Sequence, residues 1–168
     1  MKTKHKLSIL ILLLTTTFSF AQTADELAKS GLDKAMGNNP QGAIVDYTKS
    51  LELKQNPDTY YKRAIAYMMA KEYTKSIDDF NKIETVRKNE TEFFFQRGNT
   101  KALMGDNQGA ILDFDKSIAL KPDFGKVYFY RGLSKITLKD KDSACKDLQK
   151  AIDLKYDKAL ETLKVNCQ

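Results

Sequence analysis

The chain has 168 residues and a formal net charge of +6, with 28 Lys and Arg against 22 Asp and Glu. That length sets an expectation of one domain. It holds a single histidine, His5, and two cysteines, Cys145 and Cys167. Metal sites and nucleophile–base pairs generally lean on those residue types, so a metal centre, a cofactor-dependent activity and an enzyme of any kind are poorly served.

Residues 1–21 read as a secretory signal peptide. Lys2, Lys4 and Lys6 form a basic start, Leu7–Leu14 an apolar middle, and Ser19-Phe20-Ala21 a small-residue exit that predicts cleavage before Gln22. The alternative is an uncleaved anchor. Leu7 to Phe20 is only 14 residues and rich in hydroxyls, against roughly 20 for a spanning helix, so no stable membrane insertion is expected after cleavage. The signal takes three lysines with it, leaving 25 (28 minus 3) bases and 22 acids, a net +3. These charges alternate in sign along the chain, as on solvated helical faces, and nucleic acid is not an expected partner. The expected destination is the periplasm or the exterior of a bacterial envelope.

Beyond Gln22, apolar residues recur at steps of three and four, as in Tyr60, Ala64, Tyr67 and in Ile111, Phe114, Ile118, which predicts amphipathic helices. Helix pairs are expected at about 24–36/40–53, 58–70/74–87, 92–104/108–120 and 126–138/142–154. Asn39-Pro40 supplies a cap and a first-turn proline, Gly105-Asp106 a stop, and Asp140 or Asp142 a start. Tyr156, Leu160, Leu163 and Cys167 fall on one face of a last helix at about 157–167. Asp78-Asp79 and Asp113/Asp115 are tight acid clusters, but helical neighbours one or two apart do not face each other. They give no carboxylate pair for catalysis.

The pairs repeat. The patches beginning at Ala43, Ser76, Ala110 and Ala144 align at intervals of 33, 34 and 34, and so do Ser30-Gly31, Arg63-Ala64, Arg97-Gly98 and Arg131-Gly132. A fixed period of this length marks a stacked array of helix pairs. With Tyr60, Phe94 and Tyr128 at unit position 4, Gly31, Ala64, Gly98 and Gly132 at position 8, Tyr47, Phe80, Phe114 and Leu148 at position 24, and Pro122 at position 32, the chain resembles a tetratricopeptide-repeat protein over nearly all of residues 22–168. The resemblance implies an all-α, right-handed superhelical solenoid of four helix-turn-helix units, at about 24–56, 57–90, 91–124 and 125–158, closed by a C-terminal capping helix. Unit one is the most divergent, with Leu27 at position 4.

The resemblance also assigns roles. Positions 5 and 9 of each first helix face a concave groove, which gives Tyr61, Ile65, Phe95, Asn99, Phe129 and Leu133 as binding residues; the other reading has the position-5 aromatics shielding the seams between repeats. Arg63, Arg97 and Arg131 at position 7 meet Asp79, Asp113 and Asp147 at position 23 across each antiparallel pair, as structural ion pairs rather than a ligand clamp. Unit one has Asp46 but Ser30. Cys145 occupies a slot that faces the next helix, on whose apolar face Cys167 lies. They form either a disulfide, which an exported destination favours, or two buried thiols. The slots of the carboxylate clamp that grips chaperone C-termini hold Ala28, Leu32, Lys62, Glu92 and Gln96 in one register, and Tyr61, Ile65, Gln96, Lys126 and Tyr130 in the next. Only Lys126 fits, which excludes a terminal carboxylate as the expected ligand. The implied function is a non-enzymatic scaffold binding a protein or peptide segment; the alternative is a structural subunit of a cell-envelope complex.

Overall fold

The computed structural model describes residues 22–167, and the candidate signal peptide, residues 1–21, lies outside the described residues. The chain runs through α1 (Ala24–Met36), α2 (Pro40–Leu53), α3 (Pro57–Met69), α4 (Tyr73–Arg87), α5 (Thr91–Met104), α6 (Asn107–Leu120), α7 (Gly125–Thr137), α8 (Lys141–Asp153) and α9 (Ala159–Cys167). No strand interrupts them among the described residues. Helices pack in sequence order, each against the one before and the one after it. The result is a linear stack of helix pairs whose cohesion comes from neighbour interfaces.

Local chemistry sets the helix ends. Thr23 and Glu26 form a capping box at the start of α1, each side chain bonding the other's backbone N–H. Asn39 and Asn56 cap α2 and α3, and each is followed by a first-turn proline. Asp106 and Asp140 cap α6 and α8. Between the two helices of each pair, one residue turns left-handed: Asn38 (φ 57°), Lys71 (62°), Gly105 (94°) and Lys139 (64°), all at the same place in the repeat. Only Gly105 takes that conformation without steric cost. Lys139→Gly is therefore expected to raise stability by about 0.5–1 kcal/mol. A urea midpoint that moves downward would count against that reading of the turn.

The core is a series of small clusters, one per seam. Tyr47 packs with Ala43 and Ala66; Phe80 with Ala64, Ile83, Phe93 and Phe94; Phe114 with Phe95, Ala110 and Val127; Leu148 with Tyr128, Ala151 and Ala159. The position-24 ring drives between paired helices because the facing residue is small. A Cβ on Gly98 would stand 2.8 Å from Phe114, and one on Gly31 2.7 Å from Tyr47, so the close approach needs glycine there.

The last helix differs from expectation in one respect. It starts at Ala159, so its packed face is Ala159, Leu163 and Cys167, while Leu160 is 45% exposed. Tyr156 lies in the preceding turn and still packs on the same cluster. A turn between α8 and α9 puts the two out of the helical register that their spacing suggests.

Candidate functional site

The first helices of the pairs, α1, α3, α5 and α7, share one face of the stack, and two open recesses lie along it. One, between α1 and α3, is lined by Asp25, Ala28, Lys29 and Leu32 on one side and Asn56, Asp58, Thr59 and Lys62 on the other. It mixes both signs of charge. The other, about 210 Å³, lies between α5 and α7 and is lined by Asn99, Ala102, Leu103, Asn107, Tyr130, Leu133, Ser134 and Thr137. It contains no charged side chain.

Of the six groove residues expected from sequence, Asn99 and Leu133 line one of these two recesses and the other four line neither. Phe95 does not belong to a binding surface. It is 1% exposed, wedged at the seam against Phe114, Phe124 and Tyr130, with the Lys126 ammonium 4.4 Å from its ring. Tyr61 and Phe129 are half-buried seam residues as well. Tyr61 meets Phe80 edge-on and lies under the Arg87 guanidinium, 4.7 Å away; burial, helped by the Glu92 charge, pushes its hydroxyl up to about 12. Phe129 packs against Tyr130 and Tyr156. Ile65 is half-buried against the Phe80 cluster. The position-5 aromatics thus pack at seams, Tyr61 on its own pair, Phe95 against Tyr130 of the next first helix and Phe129 against the turn that follows its pair. Tyr130, one residue on, is the aromatic that reaches the recess.

Residues 125–161 match the tetratricopeptide-repeat family model. No curated protein matches the chain. Among solved structures, the chain is similar to MamA (24% identity, 90% of this chain and 86% of that chain, TM-score 0.74). It is also similar to MamA 41-end from Desulfovibrio magneticus RS-1 (18%, 85% and 82%, TM-score 0.77), and to YrrB, described as a TPR protein with an unusual peptide-binding site (21%, 84% and 74%, TM-score 0.78). The fold is a tetratricopeptide-repeat solenoid.

Within this solenoid the position-7 arginines are built into the wall. Arg97 is 3% exposed and holds Asp113 with two parallel bonds, Nε to Oδ2 at 2.9 Å and Nη2 to Oδ1 at 2.8 Å. Arg63 and Arg131 hold Asp79 and Asp147 in the same bidentate way. Each guanidinium also lies near the position-4 ring, Tyr60, Phe94 or Tyr128. The remaining Nη1 bonds a residue of the preceding unit: Thr48, Asn81 and Asp115 respectively. These three stand at one repeat position, directly after the position-24 ring. The arginine therefore staples its own pair to the previous one. A hydrogen-bond acceptor recurring at Thr48, Asn81 and Asp115 was the sequence signal for it. In unit one, Ser30 and Lys34 both reach Asp46 at 2.6 Å in place of an arginine.

Glu84 completes the Arg97 staple at 3.0 Å. The Arg97 hydrogen bond, seconded by Lys116, outweighs desolvation and holds the Glu84 carboxyl down at about 2. Burial works against the Arg97 charge, but Asp113 and Glu84 more than offset it, and its pKa lies above the ordinary value. Cys145 and Cys167 are joined in a disulfide with Cα atoms 5.7 Å apart. No group of three or more His, Cys, Asp or Glu among the described residues is placed to hold a metal, and no described helix is long and apolar enough to cross a membrane.

Proposed function

We propose that the chain is an exported, non-enzymatic interaction scaffold that holds a peptide or helical segment of a partner protein on the face formed by α1, α3, α5 and α7. The observation that carries this reading is the uncharged recess between α5 and α7, where Leu133, Ala102, Leu103 and the Tyr130 ring offer apolar surface around a few polar groups. A concave, mostly apolar lining with sparse polar groups is what recognition sites use. At about 210 Å³, it is below the roughly 300 Å³ at which small-molecule and cofactor pockets begin, so it suits one anchoring side chain of a longer ligand. Similarity in fold to a solved peptide-binding repeat protein supports the same reading. Export rests on the basic, apolar and small-residue segments of residues 1–21.

Two measurements test it. The protein recovered from its native envelope fraction is expected to begin at Gln22; an intact N-terminus at Met1 in a cytoplasmic fraction would overturn export. A cross-linked pull-down is expected to lose its partner, at least tenfold in yield, when Asn99→Glu and Leu133→Glu are combined in a variant that circular dichroism shows to be folded. Those two positions are partly exposed and line the recess, so the added charges oppose a ligand rather than the core. Equal recovery of the same partners with both proteins would move the site elsewhere and favour a structural subunit held through other faces.

A further inference from the structure

Ser134 lines the α5/α7 recess at 2% exposure, and its hydroxyl has no hydrogen-bond partner. Buried hydroxyls are almost always paired, since a lone one forfeits its hydration. The equivalent residue of the preceding unit shows how cheaply the helix can solve this: Thr100 Oγ1 donates to the Gln96 carbonyl at 2.9 Å. Ser134 makes no such bond to its own helix. Around it, Asn99 spends one amide proton on a long 3.6 Å contact to the Met68 sulfur. Among the described residues, its carbonyl and second proton are uncommitted and the Tyr130 hydroxyl has no hydrogen-bond partner. Three neutral hydrogen-bonding side chains therefore line one recess, and no charged side chain is among its lining residues; the charge that acts on the Tyr130 hydroxyl is that of Lys158, outside the lining.

We infer that the recess is an anchor for a neutral carboxamide of the partner, an Asn or Gln side chain or a main-chain peptide group. This rests on the groove reading above and specifies its ligand. A carboxamide gives and takes protons at once, which matches a donor hydroxyl beside an amide with both functions free. A carboxylate or an ammonium would lose its hydration without finding a countercharge among the residues that line the recess. A purely aliphatic group would leave the Ser134 hydroxyl buried and unpaired, as it is in the free protein.

The test is a random peptide library displayed against the protein, followed by fluorescence anisotropy with the selected sequences. Selected peptides are expected to share an Asn or Gln at a fixed position. Changing it to Asp or Glu should weaken binding at least tenfold. Where the anchor is instead a main-chain group, no side chain is shared and N-methylation at one peptide bond produces the loss. Ser134→Ala should weaken binding about fivefold, as expected for one hydrogen bond, while its melting temperature stays level or rises, because an unpaired buried hydroxyl is removed. Peptides that prefer Leu or Met, or that bind Ser134→Ala as well as the original, overturn the carboxamide anchor. If those same peptides still fail on the Asn99→Glu/Leu133→Glu variant, the groove stands and only the anchor is wrong. If they bind that variant equally, the groove reading itself falls. A library that yields no binder also counts against the anchor, and the pull-down then decides the groove alone.

Discussion

Arg97→Ala is expected to destabilise the solenoid by about 3 kcal/mol, the lower end of the range for breaking a buried ion pair. The lower end applies because Asp113, 1% exposed, would keep Lys101 at 2.7 Å. The loss has three parts: a buried carboxylate left with Lys101 alone, the broken staple to Asn81 and Glu84, and the packing of the guanidinium on Phe93 and Phe94. For a chain of this size the melting temperature should fall by roughly 10 °C. Arg131→Ala should cost less, because its side chain is 17% exposed against 4% for Arg97 and water screens what remains. The variant should also respond less to acid. A carboxyl held below its unfolded pKa stabilises the fold fully above the unfolded value and loses that contribution as pH falls toward the folded one. Glu84, at about 2 when folded against an ordinary value of 4.5, contributes fully above pH 4.5 and progressively less down to 2. Removing Arg97 takes away the main cause of that depression and flattens the slope in this window. Urea melts of both proteins at pH 7 and pH 3 check both statements. Unchanged stability with lost partner binding would instead make Arg97 part of a ligand clamp.

Much of the architecture was legible because a repeat states its rules several times. The expected first pair, 24–36 and 40–53, coincides with α1 and α2, and the remaining six expected starts lie one residue late. That offset has a local cause at α3, where Asn56 caps and Pro57 is already helical. The bidentate arginine pairs were legible for a similar reason: two fixed positions on adjacent antiparallel helices must meet wherever the unit folds. The recess was not. Whether a position-5 ring faces ligand or seam depends on how far one unit rotates against the next, and no spacing within a unit encodes that rotation. Phe95 is buried by Phe124 at the end of its own unit and by Tyr130 of the next, the second a contact between units. Ser134 could not be found at all from sequence, since its significance is a missing bond, visible only once Thr100 shows the same position satisfied.

Reduction of the Cys145–Cys167 bridge is expected to release α9 while leaving the first three helix pairs in place. The bridge spans 22 residues, and closing a loop of that length stabilises by on the order of 3 kcal/mol in the chain-entropy model. α9 has only 9 residues, too few to persist as a helix in water without tertiary support. Without the bridge its hold is the packing of Ala159 and Leu163 on the Tyr128–Leu148 cluster. Because each pair of a solenoid depends on its neighbours alone, the damage should stay local. Hydrogen exchange should quicken across α9, less in α8, and not at all in α1 to α4. Intact mass should rise by two hydrogen atoms when an added thiol reductant opens the bridge in the unfolded chain. No mass change would mean free thiols, and equal protection of α9 in both states would mean that side-chain packing alone seats the cap. An unseated cap would uncover Ile152, Ile136 and Phe129, partly buried side chains now packed into its cluster. Reduced protein should therefore self-associate at concentrations where the oxidised form stays monodisperse, since a stack end without its cover is an exposed apolar surface.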